Sequence, residues 1–221
     1  MRNMKTLIGE NVDIELSGKS FFTGILTDVG LDILVLYNGQ AFYYIPLLHV
    51  HRIQLNTNKD EQTESTEEKS LVEDTEILSY RSMLTNAKGV FSEVYVTGNL
   101  TYHGYIIQVL TDYIVFYSPV YKTMYISLSH LKWLTPYSQN INPYTLTNEK
   151  LPVKPSSGPL VRSLEEQLKK EIGGLAVFDG GGEMQKIGLL KQIEEQCIEL
   201  VNANGTTVFL RLNHLKSVYF P

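Results

Sequence analysis

The sequence repeats one pattern of glycines and a histidine three times, at constant spacing. In each copy a second glycine lies nine residues after the first, and a third glycine lies six residues further on. The glycines are Gly9, Gly18 and Gly24 in the first copy, Gly89, Gly98 and Gly104 in the second, and Gly173, Gly182 and Gly188 in the third. A histidine follows each set, namely His49, His130 and His214. Internal repetition of this kind predicts an array of three related modules.

Changes in composition place two linkers between the modules. We predict modules at residues 1–55, 77–135 and 160–221, with an acidic linker at 56–76 and a proline-rich linker at 136–159. The acidic linker holds eight acids and two lysines, so it carries more than the whole net charge of -5. The modules together are therefore close to neutral. This argues against a broad phosphate-binding face, which needs clustered Lys and Arg, and nucleic acid is not expected as a partner.

Each module has the pattern of a short helix followed by about five short strands. Ser163 is suited to cap a helix in the third copy, and Val12, Ile14 and Leu16 alternate with polar residues as in a strand. A glycine inside the second strand allows the sheet to curl. We therefore predict a mainly β fold of three tandem small SH3-like or Sm-like barrels, each preceded by a short helix. Modules this small are marginal alone, so we expect them to dock.

The repeated polar residues fit structural roles better than catalytic ones. The histidines have no second metal ligand nearby in sequence, and a histidine before the last strand of a barrel usually bonds nearby backbone. Asp32 and Asp112 share a repeat position that holds Gln196 in the third copy. A catalytic carboxylate would not tolerate that exchange, whereas a turn residue that accepts backbone hydrogen bonds would. We predict no metal site at these positions.

Motifs for covalent or phosphate chemistry are missing from the sequence. The segment 180–182 is three glycines, but no Lys-Ser or Lys-Thr and no helix start follows it. Cys197, the single cysteine, aligns with strand residues in the other copies, so it fits a structural position and excludes an internal disulfide. We therefore predict a protein that is not an enzyme, with no catalytic residues and no cofactor. No apolar run approaches the roughly 20 residues of a transmembrane helix.

Tyrosine is concentrated in the second module. Seven of the fourteen tyrosines lie between residues 95 and 125, and tyrosine on an outward strand face gives a stiff, amphipathic contact area. These residues form a candidate interaction face, although ordinary strand propensity would also explain them. They are Tyr95, Tyr102, Tyr105, Tyr113, Tyr117, Tyr121 and Tyr125.

The threefold pattern as a whole resembles the N-terminal region of the spore coat protein B family of endospore-forming bacilli. The shared elements are a Gly-x-Leu start such as Gly24-Ile25-Leu26, an Asp-x-hydrophobic strand at 112–115, and the segment Tyr-Ile-x-Leu-x-His-hydrophobic-Lys at 125–132. The Gly-Gly-Pro-Glu turn of that family is only approached, at 181–184, and its long Ser-, Lys- and Arg-rich tail is missing. More distantly, the modules are similar to Sm-like RNA-binding modules, without the Arg-Gly that precedes their last strand.

The resemblance implies a non-enzymatic structural protein of the endospore coat. Such a protein would be synthesised in the mother-cell cytoplasm, would not be secreted, and would have other coat proteins as partners. Self-association is a further expectation. Two alternatives stay open, an Sm-like nucleic-acid-binding module and a ligand-binding regulator. Whether the three modules form a pseudo-trimer, half of a six-module ring or independent beads is also open at this stage.

Overall fold

A computed structural model of the protein describes residues 4–58, 71, 78–138, 143–146 and 159–221. The predicted acidic linker and proline-rich linker lie mostly outside these described residues.

Each of the three repeats contributes five strands. The first repeat has β1 (Asn11–Leu16), β2 (Ser20–Val29), β3 (Ile33–Tyr37), β4 (Phe42–Pro46) and β5 (Val50–Leu55). The second has β6 (Phe91–Val96), β7 (Leu100–Val109), β8 (Tyr113–Ser118), β9 (Lys122–Ser127) and β10 (Leu131–Pro136). The third has β11 (Leu175–Phe178), β12 (Ile187–Glu194), β13 (Cys197–Val201), β14 (Thr207–Arg211) and β15 (Ser217–Tyr219).

Helices precede the second and third repeats. Helix α1 (Tyr80–Asn86) begins after Ser79, which exchanges hydrogen bonds with Ser82 in a capping box. Helix α2 (Leu164–Lys169) begins after Ser163, whose side chain accepts from the backbone N–H of Glu166, as the sequence predicts. In the first repeat the same place holds a single 3₁₀ turn, Met4–Leu7. The first repeat therefore lacks the α-helix that the other two carry.

The fifteen strands of the described residues form one antiparallel sheet. Within every repeat the strands lie in the order fifth, first, second, third, fourth. Between repeats, the fourth strand of one pairs with the fifth strand of the next, so β4 pairs with β10 and β9 pairs with β15. The sheet ends at β5 on one side and at β14 on the other. The prediction of a mainly β protein is confirmed, but three separate closed barrels are not, because the sheet passes from repeat to repeat and stays open.

The third glycine of each repeat lies where two strands come unusually close. A Cβ atom on Gly104 would lie 2.1 Å from the carbonyl oxygen of Tyr117. The corresponding distances are 2.3 Å at both Gly24 and Gly188. No side chain can occupy such a position without moving the backbone. A β-bulge follows two residues later in each second strand, so glycine and bulge together bend every repeat at the same place.

The core runs continuously across the repeat boundaries. One cluster joins Tyr44 of the first repeat to Met83 and Leu84 of α1. A second cluster joins Tyr125 of the second repeat to Leu164 and Leu168 of α2. The repeats are therefore docked through shared cores, in keeping with the small core that each could form alone.

Candidate interaction surfaces at the repeat junctions

The two junctions inside the chain are built in the same register. Tyr44 on β4 is opposite Leu134 on β10 at the first junction. Tyr125 on β9 is opposite Val218 on β15 at the second junction. Tyr44 and Tyr125 share one repeat position, five residues before the repeat histidine, and Leu134 and Val218 share another, four residues after it. The chain thus uses one docking geometry twice.

The fourth strand carries the aromatic anchor of each junction. Tyr44 is 0% exposed and Tyr125 is 5% exposed, because the following repeat covers both. The hydroxyl of Tyr44 accepts from the backbone N–H of Leu71, and the hydroxyl of Tyr125 accepts from the Gln167 side-chain amide at 3.3 Å. The same position in the third repeat is Phe209, which is 67% exposed. Among the described residues, no other repeat covers it.

The repeated aspartates bind the helix of the next repeat. The Asp32 carboxylate accepts from the backbone N–H of Tyr80 at 2.7 Å, and Asp112 accepts from the backbone N–H of Leu164 at 2.9 Å. Both donors lie in the first turn of a helix, where a negative charge is favoured. The carboxylates accept backbone hydrogen bonds as the sequence predicts, but from the neighbouring repeat. Gln196, which has no following helix, bonds instead to Glu165 of its own repeat.

The repeat histidines also lie at the junctions. His130 Nε2 is 2.9 Å from the backbone carbonyl oxygen of Asn213 in the third repeat, and its Nδ1 is 2.9 Å from Thr97 Oγ1. A carbonyl only accepts, so Nε2 carries the proton and neutral His130 accepts from Thr97. His49 is buried and His214 is exposed, in line with the presence or absence of a following repeat. In the described part of the chain, no group of three or more His, Cys, Asp and Glu could hold a metal ion.

Burial at the first junction lowers the pKa of His49. The nearby Lys132 ammonium and His130 lower this pKa further, while the backbone of Ser129 and Leu131 partly opposes them. These four residues all belong to the second repeat, so the pKa of His49 depends on docking of the first two repeats.

Acidification should therefore weaken the first junction. A histidine whose folded pKa lies below its unfolded value of 6.5 contributes stability above pH 6.5 and loses it as the pH falls. We expect the free energy of unfolding to fall between pH 7.5 and 5.5, and to fall less in a His49→Gln variant. Urea titrations at several pH values measure this, with His51→Gln, an exposed histidine of the same repeat, as control. An equal slope in wild type and His49→Gln would contradict it.

A buried lysine and a stacked tryptophan complete the first junction. Lys132 of β10 is 4% exposed and donates to Ser20 Oγ at 3.1 Å, next to the Gly18 turn of the first repeat. Its neighbour Trp133 stacks on Tyr95 with ring centroids 3.7 Å apart. At the second junction Lys216 occupies the Lys132 position and lies against the turn at Gly98.

The clustered tyrosines lie mainly inside the molecule. Tyr102, Tyr113, Tyr117 and Tyr125 are buried. The Tyr113 hydroxyl donates to the backbone carbonyl of Val161 at 2.7 Å, across the second junction. These four side chains therefore do not belong to an exposed face. Several of them do serve an interface, but its other side is the third repeat of the same chain.

Tyr95, Tyr105 and Tyr121 are the partly exposed members of the predicted tyrosine face. Tyr95 packs on Trp133, and its hydroxyl donates to Asn99 Oδ1 at 2.7 Å. Tyr121 contacts the rings of Tyr102 and Tyr219. The partly exposed tyrosines are thus tied into local contacts, and the largest exposed aromatic surfaces lie elsewhere, at Phe209 and Phe21.

The two ends of the sheet are exposed where the internal junction strands are buried. In β14, alternate residues beginning at Thr207 are exposed, whereas β9 is buried from Met124 to its end. In β5 four of the six residues are exposed, whereas the first four residues of β10 are buried. A groove of about 440 Å³ lies beside β5 and one of about 370 Å³ lies beside β14. Among the described residues, each of these two strands pairs with one neighbour and has no strand on its outer side.

Sequence reasoning named Tyr125 but missed Tyr44 and Phe209, which hold the same repeat position. Tyr44, Tyr125 and Phe209 occupy one column of the repeat, and all three are aromatic. Aligning the repeats on their histidines would have revealed this column. The sequence does not reveal that the side chains of Tyr44 and Tyr125 are buried whereas that of Phe209 is exposed.

Comparison with known proteins gives two matches. A family model described as the YwrJ third domain matches residues 163–218, which run from the N-cap of α2 into β15. A protein of Bacillus subtilis (strain 168), described as "Uncharacterized protein YwrJ", is 47% identical over 229 residues, which span all of both chains. Neither description states an activity. Within the described residues, no helix has the length and apolar character needed to cross a membrane.

Proposed function

The chain belongs to the YwrJ family, and on that premise we propose that it is a non-enzymatic structural protein that assembles through the free edges of its sheet. The observation that carries this proposal is the contrast between equivalent strands. β4 and β9 are buried by the next repeat, while β14 presents Phe209 at 67% exposure to solvent. An exposed strand edge beside an aromatic residue is a ready site for pairing with another chain.

We further propose that each repeat is a bent Sm-like or SH3-like module. The strand order of fifth, first, second, third, fourth, together with the repeated glycine and bulge in the second strand, supports this description. In this arrangement the module does not complete its own sheet, because its fourth strand is left for a neighbouring fifth strand. Pairing between neighbouring modules is then part of the fold, and it occurs at two places within the chain, between β4 and β10 and between β9 and β15.

The endospore coat is the proposed location, with synthesis in the mother-cell cytoplasm. The support is the resemblance to the spore coat protein B family, which rests on residues that have a defined place here. Its segment 125–132 includes Tyr125, His130 and Lys132, which form the junctions between repeats. The resemblance therefore involves residues that join the repeats to one another, rather than surface residues without such contacts. The B. subtilis relative also comes from a bacillus.

Timing and location of the protein test this proposal. A fluorescent fusion of the chain, expressed in B. subtilis from the promoter of the YwrJ relative, should be made in the mother cell during sporulation and should coat the forespore. Immunoblots of purified spores should retain the untagged protein. A fluorescent protein driven by the same promoter without the chain controls for mother-cell expression alone. Abundant protein in growing cells and none in purified spores would refute the coat assignment.

A further inference from the structure

We propose that the partner at the two free edges is a second copy of this chain, with β14 of one copy pairing antiparallel with β5 of the other. This inference rests on the proposed assembly function and names the partner of the same surfaces. β14 is the fourth strand of the third repeat, and β5 is the fifth strand of the first. Both internal junctions join a fourth strand to a fifth strand. The two edges of the described sheet are thus the two halves of a junction that the chain already makes twice.

The internal register predicts the register between copies. At the second junction Met124, Tyr125 and Ile126 are opposite Tyr219, Val218 and Ser217. The corresponding residues of the free edges are Val208, Phe209 and Leu210 on β14, and Gln54, Ile53 and Arg52 on β5. The central pair would be Phe209 against Ile53, in the place of Tyr44 against Leu134 and of Tyr125 against Val218.

Apolar side chains on the two edges support this pairing. Phe209 is 67% exposed on β14, and Leu55 is 52% exposed on β5. The groove beside β5 is lined by Leu7, Leu47 and Val50 among others, and it offers an apolar surface next to the strand. An exposed aromatic side chain opposite such a groove is a suitable anchor for an interface.

The charges of the two grooves are complementary. Glu194, Glu195 and Glu199 line the groove beside β14, together with the single cation Arg211. His51 and Arg52 line the groove beside β5, where both also contact the carboxylate of Glu15 on β1, at 3.5 Å and 3.1 Å. Opposite charges across an interface favour the correct encounter and its register. Two copies meeting head to tail would bring the acidic groove of one to Arg52 and His51 of the other, whose positive charge Glu15 offsets in part.

The junction between copies should be weaker than the internal ones. Val35 and Val115 face the internal junctions, and Glu199 holds the same repeat position at the free end. Gln196 replaces the helix-binding aspartates, and the first repeat offers only the 3₁₀ turn Met4–Leu7 in place of a helix. The contact therefore relies on strand pairing, the Phe209 anchor and charge. We expect a reversible association that weakens with added salt.

Sedimentation of the purified full-length chain tests the pairing. The wild-type mass should rise with concentration from 25.1 kDa to at least twice that value. Phe209→Asp should raise the apparent dissociation constant at least about tenfold, since it places a charge at the anchor of the interface. Phe21→Asp is the matched control, because Phe21 is 65% exposed but lies on β2, which β1 separates from the edge strand β5. Circular dichroism checks that both variants are folded.

Disulfide trapping tests the register. Residues directly opposite each other in an antiparallel pair lie close enough to be bridged by a disulfide. In a Cys197→Ser background, a mixture of Phe209→Cys and Ile53→Cys chains should give a cross-linked dimer under mild oxidation. The mixture of Phe209→Cys and Phe21→Cys should give far less. A monomer at all concentrations, or association insensitive to Phe209→Asp, would overturn the inference.

The two proposals fail in different ways. A wild-type chain that stays monomeric in solution but is retained in purified spores would refute the second copy as partner and leave the coat function standing. A chain that self-associates in the predicted register but is absent from spores would refute the coat location and leave the inference standing.

Discussion

Replacing Tyr125 with alanine should lower the free energy of unfolding by about 3–5 kcal/mol, the usual cost of truncating a fully packed aromatic side chain. Tyr125 is 5% exposed, its ring meets Tyr113 edge to face at 5.7 Å, and it lies in the core cluster shared with α2. Truncation would leave a cavity between the second and third repeats and would remove a hydroxyl that is bonded to Gln167. Urea denaturation followed by circular dichroism measures the change.

Phe209→Ala supplies the matched comparison, because it removes an aromatic ring from the same position of the repeat. Phe209 is 67% exposed, so its truncation should change the stability of a dilute monomer by no more than about 0.5 kcal/mol. The contrast isolates the effect of the neighbouring repeat from the effect of the residue type. Equal losses in the two variants would contradict the docked arrangement. So would a negligible loss in Tyr125→Ala.

The sequence was sufficient to find the repeat and the β-rich class. Glycines such as Gly104 mark a close approach between two strands of the same repeat, so their spacing recurs in every copy. The helix cap at Ser163 is equally local and was predicted correctly. Turns, bends and helix caps can be predicted from the sequence because their physical causes lie within one repeat.

The pairing between repeats could not be predicted from any one copy. A fourth strand and a fifth strand look alike in sequence whether they close on their own module or pair with the next one. What distinguishes Tyr125 from Phe209 is the presence of a following repeat, and that is a property of position along the chain. For the same reason the sequence did not reveal that Tyr113 and Tyr125 of the predicted tyrosine face are buried against the third repeat of the same chain.

The aspartate position shows how comparing the copies sharpens the prediction. The exchange of Asp32 and Asp112 for Gln196 predicted a position that accepts backbone hydrogen bonds, and both aspartates do accept them. Each aspartate accepts a hydrogen bond from the first turn of the helix in the next repeat. Among the described residues no α-helix follows Gln196, and its side chain bonds to Glu165 instead. The departure from the repeat at Gln196 therefore coincides with a change of surroundings, from the first turn of a helix to the charged groove beside β14.

The largest effect of a single added methyl group should come from Gly104→Ala, which we expect to lower the free energy of unfolding by about 3 kcal/mol or more, at the upper end of the range for overpacking. The new Cβ would lie 2.1 Å from the Tyr117 carbonyl oxygen and 2.9 Å from its carbonyl carbon. Both atoms are backbone, so no side-chain rotation relieves the overlap. Relief requires β7 and β8 to move apart, which would disturb their ladder from Tyr105 to Val109.

Gly182→Ala is the control, because it makes the same chemical change at another glycine of the repeat. Gly182 has a φ of -64°, and a Cβ there would have no atom within 4 Å. Alanine at such a position restricts the unfolded chain without straining the folded one, so stability should be unchanged or should rise by up to about 1 kcal/mol. Thermal and urea denaturation of both variants measure the difference. A Gly104→Ala protein as stable as Gly182→Ala would show that the second strand tolerates a side chain at its bend. The repeated third glycine would then need another explanation than the close approach of two strands.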